Sequence, residues 1–144
     1  MAAFNKFNVF VEDIANGGIH DLKTGTSDVF KVLLTNTAPS ATNTVVANLT
    51  EISAGDGYTA GGNECVFTSG AQTGGVFKLT LVDPATWTSA TGTFATFRYA
   101  VLYNDTSVSD SLIGWWDYGT IVSLGTGETF KVDLDQTNGV LTIT

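Results

Sequence analysis

The residues that could serve as a nucleophile, a base or a soft metal ligand are few in this chain. It has one histidine, His20, and one cysteine, Cys65. His20 lies in a turn rich in Gly and Asp without a serine or cysteine nucleophile in a recognised context, and Cys65 lies in a predicted strand, where a thiol usually packs as a small apolar group. One histidine and one cysteine cannot supply the nitrogen and sulfur ligands of a structural zinc site. We therefore predict no catalytic residue, no metal site and no cofactor, and expect a protein that is not an enzyme.

Loop aspartates are the other candidates for chemistry. Asp105 and Asp110 share one loop, Asp133 and Asp135 flank the end of a predicted strand, and Asp56 lies in the glycine-rich segment SAGDGYTAGGN. Calcium takes oxygen ligands from such loops, but no EF-hand pattern is present and solvated turn residues account for all five positions. The glycine-rich segment also lacks the G-x-G-x-x-G spacing and the Lys-Ser/Thr pair of nucleotide-binding loops, so we interpret it as a turn. A glycosidase-type carboxylate pair stays open, because its signature is a separation in space.

The elements that must position these residues are organised around residues 97–118, FRYAVLYNDTSVSDSLIGWWDY. In 97–103, Phe, Tyr, Val and Tyr alternate with Arg, Ala and Leu, which is the period of a strand. Trp115 and Trp116 are adjacent, so in an extended chain they point to opposite faces, and both can be buried only if both faces are covered. Both segments are therefore predicted to be central strands. The predicted core aromatic residues are Phe97, Tyr99, Tyr103, Trp115, Trp116 and Tyr118.

The N-terminal segment has two interpretations. Phe4, Phe7, Val11 and Ile14 recur at helical spacing, and the Asn-Gly-Gly at 16–18 would end a short amphipathic helix. The alternation at 7, 9 and 11 also fits a strand. We favour the helix, and residues 1–18 are also a candidate docking arm whose contact residues would be those same four side chains.

Further strands are predicted at 28–35, 64–68, 76–82, 120–124, 129–134 and 140–143, with turns between them that include 69–75. Residues 44–52 fit either a strand or a short helix. This gives eight or nine short strands with hardly any helix, which is typical of a sandwich. We predict one domain over residues 1–144, an all-β, jelly-roll-like β-sandwich.

Composition and charge exclude several classes of partner. The chain has 14 acidic and 6 basic residues and a net charge of −8, so its field would repel a nucleic acid backbone, and no Lys/Arg cluster offsets it. No apolar run reaches the roughly 18 residues of a membrane span, and the N-terminus lacks the basic flank and apolar core of a signal peptide. A lone cysteine fits synthesis in a reducing cytoplasm. We expect no nucleic acid partner, no membrane association and no secretion by a signal peptide.

A resemblance extends over nearly the whole chain. It is carried, in order, by the segments FNKFNVFVEDIANG, FKVLLTNTAP, LTEISAGDGYTAGGN, FRYAVLYNDT, LIGWWDYG, GETFKVDLD and NGVLTIT. Together they resemble a group of small virion structural proteins of tailed bacteriophages. The resemblance implies a capsid decoration (cement) protein that is assembled into the virion in the host cytoplasm. Its implied partners are the major capsid protein or other virion proteins and further copies of itself, as in a homo-oligomer such as a trimer.

Three alternatives are kept. The same resemblance is compatible with a neck, tail or head-fibre component. A carbohydrate-binding module would instead expose Trp87, Trp115 or Trp116 on a flat face. A small hydrolase would need His20 and a carboxylate in one cleft.

Overall fold

The structure is a computed structural model that describes residues 2–25 and 28–144, and antiparallel strands dominate it. Its elements in chain order are β1 (Phe4–Lys6), α1 (Asn8–Asn16), β2 (Phe30–Thr35), a 3₁₀ turn (Val46–Asn48), β3 (Asn63–Cys65), β4 (Phe67–Thr73), β5 (Val76–Leu81), β6 (Trp87–Thr88), β7 (Phe97–Asn104), β8 (Ser111–Val122), β9 (Thr129–Phe130) and β10 (Leu141–Ile143). The predicted all-β class with one short helix is confirmed. The described part of the chain has no helix with the length and apolar character needed to cross a bilayer.

The strands form one large and two small sheets. The five-stranded sheet has the order β1-β8-β7-β2-β3, the three-stranded sheet has the order β10-β5-β4, and β6 pairs with β9. The longest pairing joins β7 and β8, which confirms that residues 97–118 form a central hairpin. The finer assignment to a jelly roll stays a prediction.

The five-stranded sheet is covered on both faces. One face carries Leu102 and Trp116 towards the large core cluster, whereas the other carries Val101, Tyr103 and Trp115 towards a smaller cluster built on Phe7. The two adjacent tryptophans therefore lie on opposite faces, as their spacing predicted. Residues of the three-stranded sheet, such as Leu79 and Leu81, cover the first face, and Phe7 covers the second.

Irregular register accompanies the departure of one side chain, Phe97, from the simple alternation. The β7–β8 register shifts between Phe97 and Tyr99 and again between Leu102 and Tyr103. Phe97 consequently packs in the large core with Ala100 and Leu102 rather than on the face of Val101. Sequence periodicity had placed it on that other face, because counting by twos along one strand cannot detect extra residues in its partner, here between Asp117 and Val122 of β8.

The N-terminal pattern is divided between two elements. Phe4 lies in β1, where it is paired with Trp116, and the helix begins only at Asn8. Gly17 and Gly18 both have positive φ and end the helix, as predicted. The helical interpretation is thus right for 8–16 and wrong for Phe4. The reason is that Phe4 is paired with Trp116 of β8, so its backbone belongs to the sheet and not to the helix.

Several boundaries also differ from expectation. Residues 69–73 were predicted as part of a turn but belong to β4, and the turn itself is Gly74-Gly75. The strand predicted at 120–124 is the continuation of β8 up to Val122, and the one predicted at 129–134 ends at Phe130. Within residues 44–52 the chain forms a 3₁₀ turn and two isolated bridges. Short or polar strands carry too few residues for their period to be recognised.

Candidate functional site

His20 lies in a polar cluster at the junction of α1 and the β7–β8 hairpin. Its Nε2 is 3.3 Å from Asp13 Oδ2, and its Nδ1 is 3.2 Å from Asn104 Nδ2, which also donates to Asp28 at 2.8 Å. Ser111 Oγ donates to the same Asp13 carboxylate. The carboxylate therefore stands between the serine and the histidine, so His20 is not placed to take a proton from Ser111 as the base of a catalytic triad would.

The protonation state of His20 follows from its burial. The side chain is fully buried, and this burial lowers the pKa of His20 although Asp13 and Asp28 oppose the shift. A neutral imidazole near pH 7 is the result. Because it contacts the ring of Phe10 at 5.5 Å between centroids, the histidine packs α1 onto the hairpin.

Cys65 is buried in β3, as predicted for a small apolar group. Its pKa is raised to about 12, chiefly by burial. The thiol is consequently protonated at neutral pH and is neither an activated nucleophile nor a ready metal ligand.

Two carboxylates hold the glycine-rich loop in place: Asp56 within the loop and Glu51 just before it. Asp56 accepts hydrogen bonds from Ser89 Oγ at 2.6 Å and from the Thr93 amide at 2.8 Å, and the bond from Ser89 contributes most to lowering the pKa of Asp56. Glu51 accepts from Tyr58 Oη and from the Gly61 amide, both at 2.6 Å. These bonds make the loop a tied structural turn, in agreement with its interpretation from the sequence.

The remaining candidate aspartates each make separate contacts and do not form one site. Asp105 pairs with Lys31 at 2.8 Å, and Asp135 accepts the Thr137 and Asn138 amides of its own turn. Within residues 2–25 and 28–144, no group of three or more His, Cys, Asp or Glu side chains is arranged to hold a metal ion. Asp133 is exposed, and its carboxylate interacts electrostatically with the Lys131 ammonium group.

A groove lies between the two principal sheets. In the described sheets β1 pairs only with β8, and β10 pairs only with β5, so each has an unpaired edge. The space between these two strands is about 620 Å³ and includes apolar side chains of α1 on its wall. We call it the edge groove. It is lined by Phe4, Lys6, Phe10, Val11, Ile14 and residues 138–144.

No family model, curated protein or solved structure matches this chain.

The four predicted docking residues do not share one exposed surface. Phe7 is completely buried in the smaller cluster. Its ring packs against that of Trp115 in β8, with 4.5 Å between the centroids. Phe4 and Ile14 are half-buried at the edge groove, and Val11 is 50% exposed there. The segment 1–18 is therefore folded onto its own sheet, where its described residues 2–18 leave three of the four side chains on the groove wall. Phe7 belongs to the core because β1 leads directly into α1 and turns that side chain inward.

The predicted core aromatics fall into three groups. Phe97 and Tyr103 are fully buried, as predicted, whereas Tyr99, Trp115 and Trp116 are half-buried. Tyr118 is 59% exposed, so its assignment to the core was wrong. The reason is that β1 covers β8 only from Gly114 to Trp116, and Tyr118 lies beyond that cover.

Sequence reasoning missed the edge groove and the core role of Trp87. Trp87 is 1% exposed and packs between Tyr58 and Phe130, so it has no face for a sugar. The sequence carried only a weak signal for the groove, namely apolar residues near both chain ends. Nothing in the spacing indicated that residues 4–14 and 138–144 face each other.

Proposed function

We propose that this chain is a non-enzymatic structural protein of a tailed-bacteriophage virion: a capsid decoration (cement) protein that binds the outer capsid surface and reinforces the shell. The resemblance of its sequence segments supports the virion assignment. The edge groove is the observation that carries the docking role. The proposed partners are the major capsid protein and further copies of this chain, with a trimer as the oligomer to be tested.

The edge groove suits an extended segment of a capsid subunit. Unpaired strand edges present backbone N–H and C=O groups that an added strand can satisfy, while the groove beside them takes alternate side chains. β1 and β10 offer two such edges on either side of one apolar space. A single incoming strand could therefore gain backbone hydrogen bonds and apolar burial together.

The chemistry of the groove walls defines the incoming segment. Val11 is exposed there beside the half-buried Ile14 and Ile143, and Lys6 is the one ionisable side chain among the described residues that line the groove. Since most of the wall is uncharged, we propose that the docking segment is apolar at alternate positions.

The first test is the copy number of the protein in purified virions, measured by quantitative mass spectrometry against the major capsid protein. A ratio of one per capsid subunit, or one per few subunits, is expected for a shell-covering protein. A handful of copies would instead favour the neck, tail or head-fibre alternative. Absence from virions would overturn the proposal.

The docking surface is tested by re-addition of purified protein to shells that lack it. Val11→Gln changes the groove wall, and Val66→Gln is its matched control because Val66 is similarly exposed, 54% against 50%, but does not line the groove. We expect Val11→Gln to lower shell occupancy and Val66→Gln to leave it unchanged. Equal occupancy of both variants would contradict docking through this groove.

A further inference from the structure

A second, smaller pocket lies beside the exposed end of β8. Its walls are aromatic and apolar, formed by Phe97, Trp116, Tyr118, Phe130 and Val132, and its volume is about 210 Å³. We call it the aromatic pocket. It shares none of the apolar α1 residues that line the edge groove.

The rings of the aromatic pocket are held by one another. Phe130 meets Phe97 edge to face at 4.6 Å between centroids and meets Tyr118 in the same way at 5.8 Å. Trp116 is supported by an edge contact with Phe4 at 5.3 Å. These contacts preorganise the walls, so a ligand would not have to order them on binding.

The rim of the pocket is polar and offers both donors and an acceptor. Arg98 donates to both carboxylate oxygens of Asp117, at 2.7 and 2.8 Å, a pair that uses only part of the guanidinium's donors. Lys131 pairs with Asp83 at 2.7 Å and likewise keeps ammonium hydrogens for a ligand. The Asp133 carboxylate, which interacts electrostatically with Lys131, supplies the acceptor.

We propose that the aromatic pocket binds one ring of a saccharide. Drug-sized ligands occupy pockets of roughly 300–1,000 Å³, so this smaller space suits a single ring. The C–H faces of a sugar ring pack on aromatic walls. Its hydroxyl groups each donate and accept, which matches a rim that holds both kinds of group.

The mixed charges of the rim favour a neutral ligand over a charged one. A cation would gain from Asp133 but would face Arg98 and Lys131, and an anion would meet the Asp133 carboxylate. A neutral polyhydroxyl ring has no such conflict. The inference stands independently of a capsid-docking role, because it uses a different surface.

The indole signals of the three tryptophans provide a direct test in the full-length protein. Trp116 lines the pocket, Trp87 is buried in the core, and Trp115 lies on the opposite face of the sheet. We would titrate ¹⁵N-labelled protein with soluble glucose-, galactose-, rhamnose- and N-acetylglucosamine-terminated glycans at millimolar concentration. The inference expects at least one of them to move the Trp116 indole resonance while those of Trp87 and Trp115 stay in place. No movement with any of these glycans, or equal movement of all three resonances, would overturn it.

Two variants define the contacts in the same titration. Tyr118→Ala removes an exposed wall and should weaken binding about tenfold or more without unfolding the domain, and Asp133→Asn should weaken it by a smaller factor. Glu12→Gln removes one negative charge on the exposed surface of α1 and is the control for net charge. Affinity unchanged by Tyr118→Ala would also overturn the proposed site.

Discussion

The two sides of this sandwich are closed in different ways. On one side, backbones touch: a Cβ added at Gly62 would lie 1.9 Å from the Val32 carbonyl oxygen, and one added at Gly70 would lie 1.6 Å from that of Leu22. On the other side, β1 and β10 stay apart and leave a groove of about 620 Å³. Glycine allows similar approaches beside β1 and β10, at Gly114 and Gly139, but the space between these two strands stays open. The open side exposes the surface on which an external strand could pack.

The largest expected effect comes from disturbing the closed side. Gly62 has φ +72° and backbone atoms of β2 against it, whereas Gly18 has φ +82° and nothing within 4 Å of an added Cβ. Gly18→Ala should cost about 1–2 kcal/mol, the strain of a left-handed residue. Gly62→Ala adds a backbone clash, so it should cost clearly more, above roughly 4 kcal/mol, or prevent folding.

Urea denaturation of the two alanine variants measures this difference. Because both glycines have similar φ, the excess loss in Gly62→Ala isolates the close backbone approach from the strain. Equal losses in the two variants would mean that the closed side can relax, and the contrast between the two sides would then be weaker than the distances indicate.

Tryptophans on the two sides give the next largest effect. Trp87 is fully buried, so Trp87→Ala should cost about 3–5 kcal/mol. Trp116 was expected from the sequence to be equally buried but is only partly buried near the open side, so Trp116→Ala should cost less than Trp87→Ala. Differential scanning calorimetry of both variants decides the order, and a larger loss for Trp116→Ala would contradict it.

The sequence predicted what depends on local period and composition. The alternation at 97–103 predicted β7, and the adjacent tryptophans predicted a sheet covered on both faces. The Asn-Gly-Gly sequence predicted the end of α1. It could not give the edge groove, because β1 and β10 lie at opposite ends of the chain and meet only through their partners β8 and β5. The exposure of Tyr118 was equally hidden, since it depends on where a three-residue strand stops covering its neighbour.

Acid should weaken the open side before the closed one. The pKa of His20 is lowered by burial, so between the unfolded pKa near 6.5 and the lower folded value the unfolded chain binds more protons, and stability falls as pH falls through that window. The slope for one group is at most about 1.4 kcal/mol per pH unit. Because His20 contacts Asp13 and Phe10 of α1, we expect the amides of α1 to be less protected at pH 5 than at pH 7, once their exchange rates are corrected for the slower intrinsic exchange in acid.

His20→Gln is the control for that acid effect. The variant cannot take up a proton, so its stability should change less between pH 7 and 5. Both proteins should still lose stability below about pH 4, where carboxylates such as Asp117, whose pKa is held low by the Arg98 guanidinium, become protonated. A loss of amide protection in α1 that is equal in the wild type and in His20→Gln would assign the acid response to another group.

The smallest effect on stability is expected at the groove wall itself. Val11 and Val66 are about equally exposed, so Val11→Gln and Val66→Gln should each shift the free energy of unfolding by no more than about 0.5 kcal/mol. A loss above about 1 kcal/mol in Val11→Gln would mean that the groove wall belongs to the core and is not a surface waiting for a partner. If both variants are as stable as the wild type, any loss of shell binding confined to Val11→Gln must arise from the groove, because folding has been held constant. The open side then differs from the closed one in use as well as in shape: the exposed Val11 contributes little to folding and is available for association, while Phe10 and Leu141 behind it belong to the core.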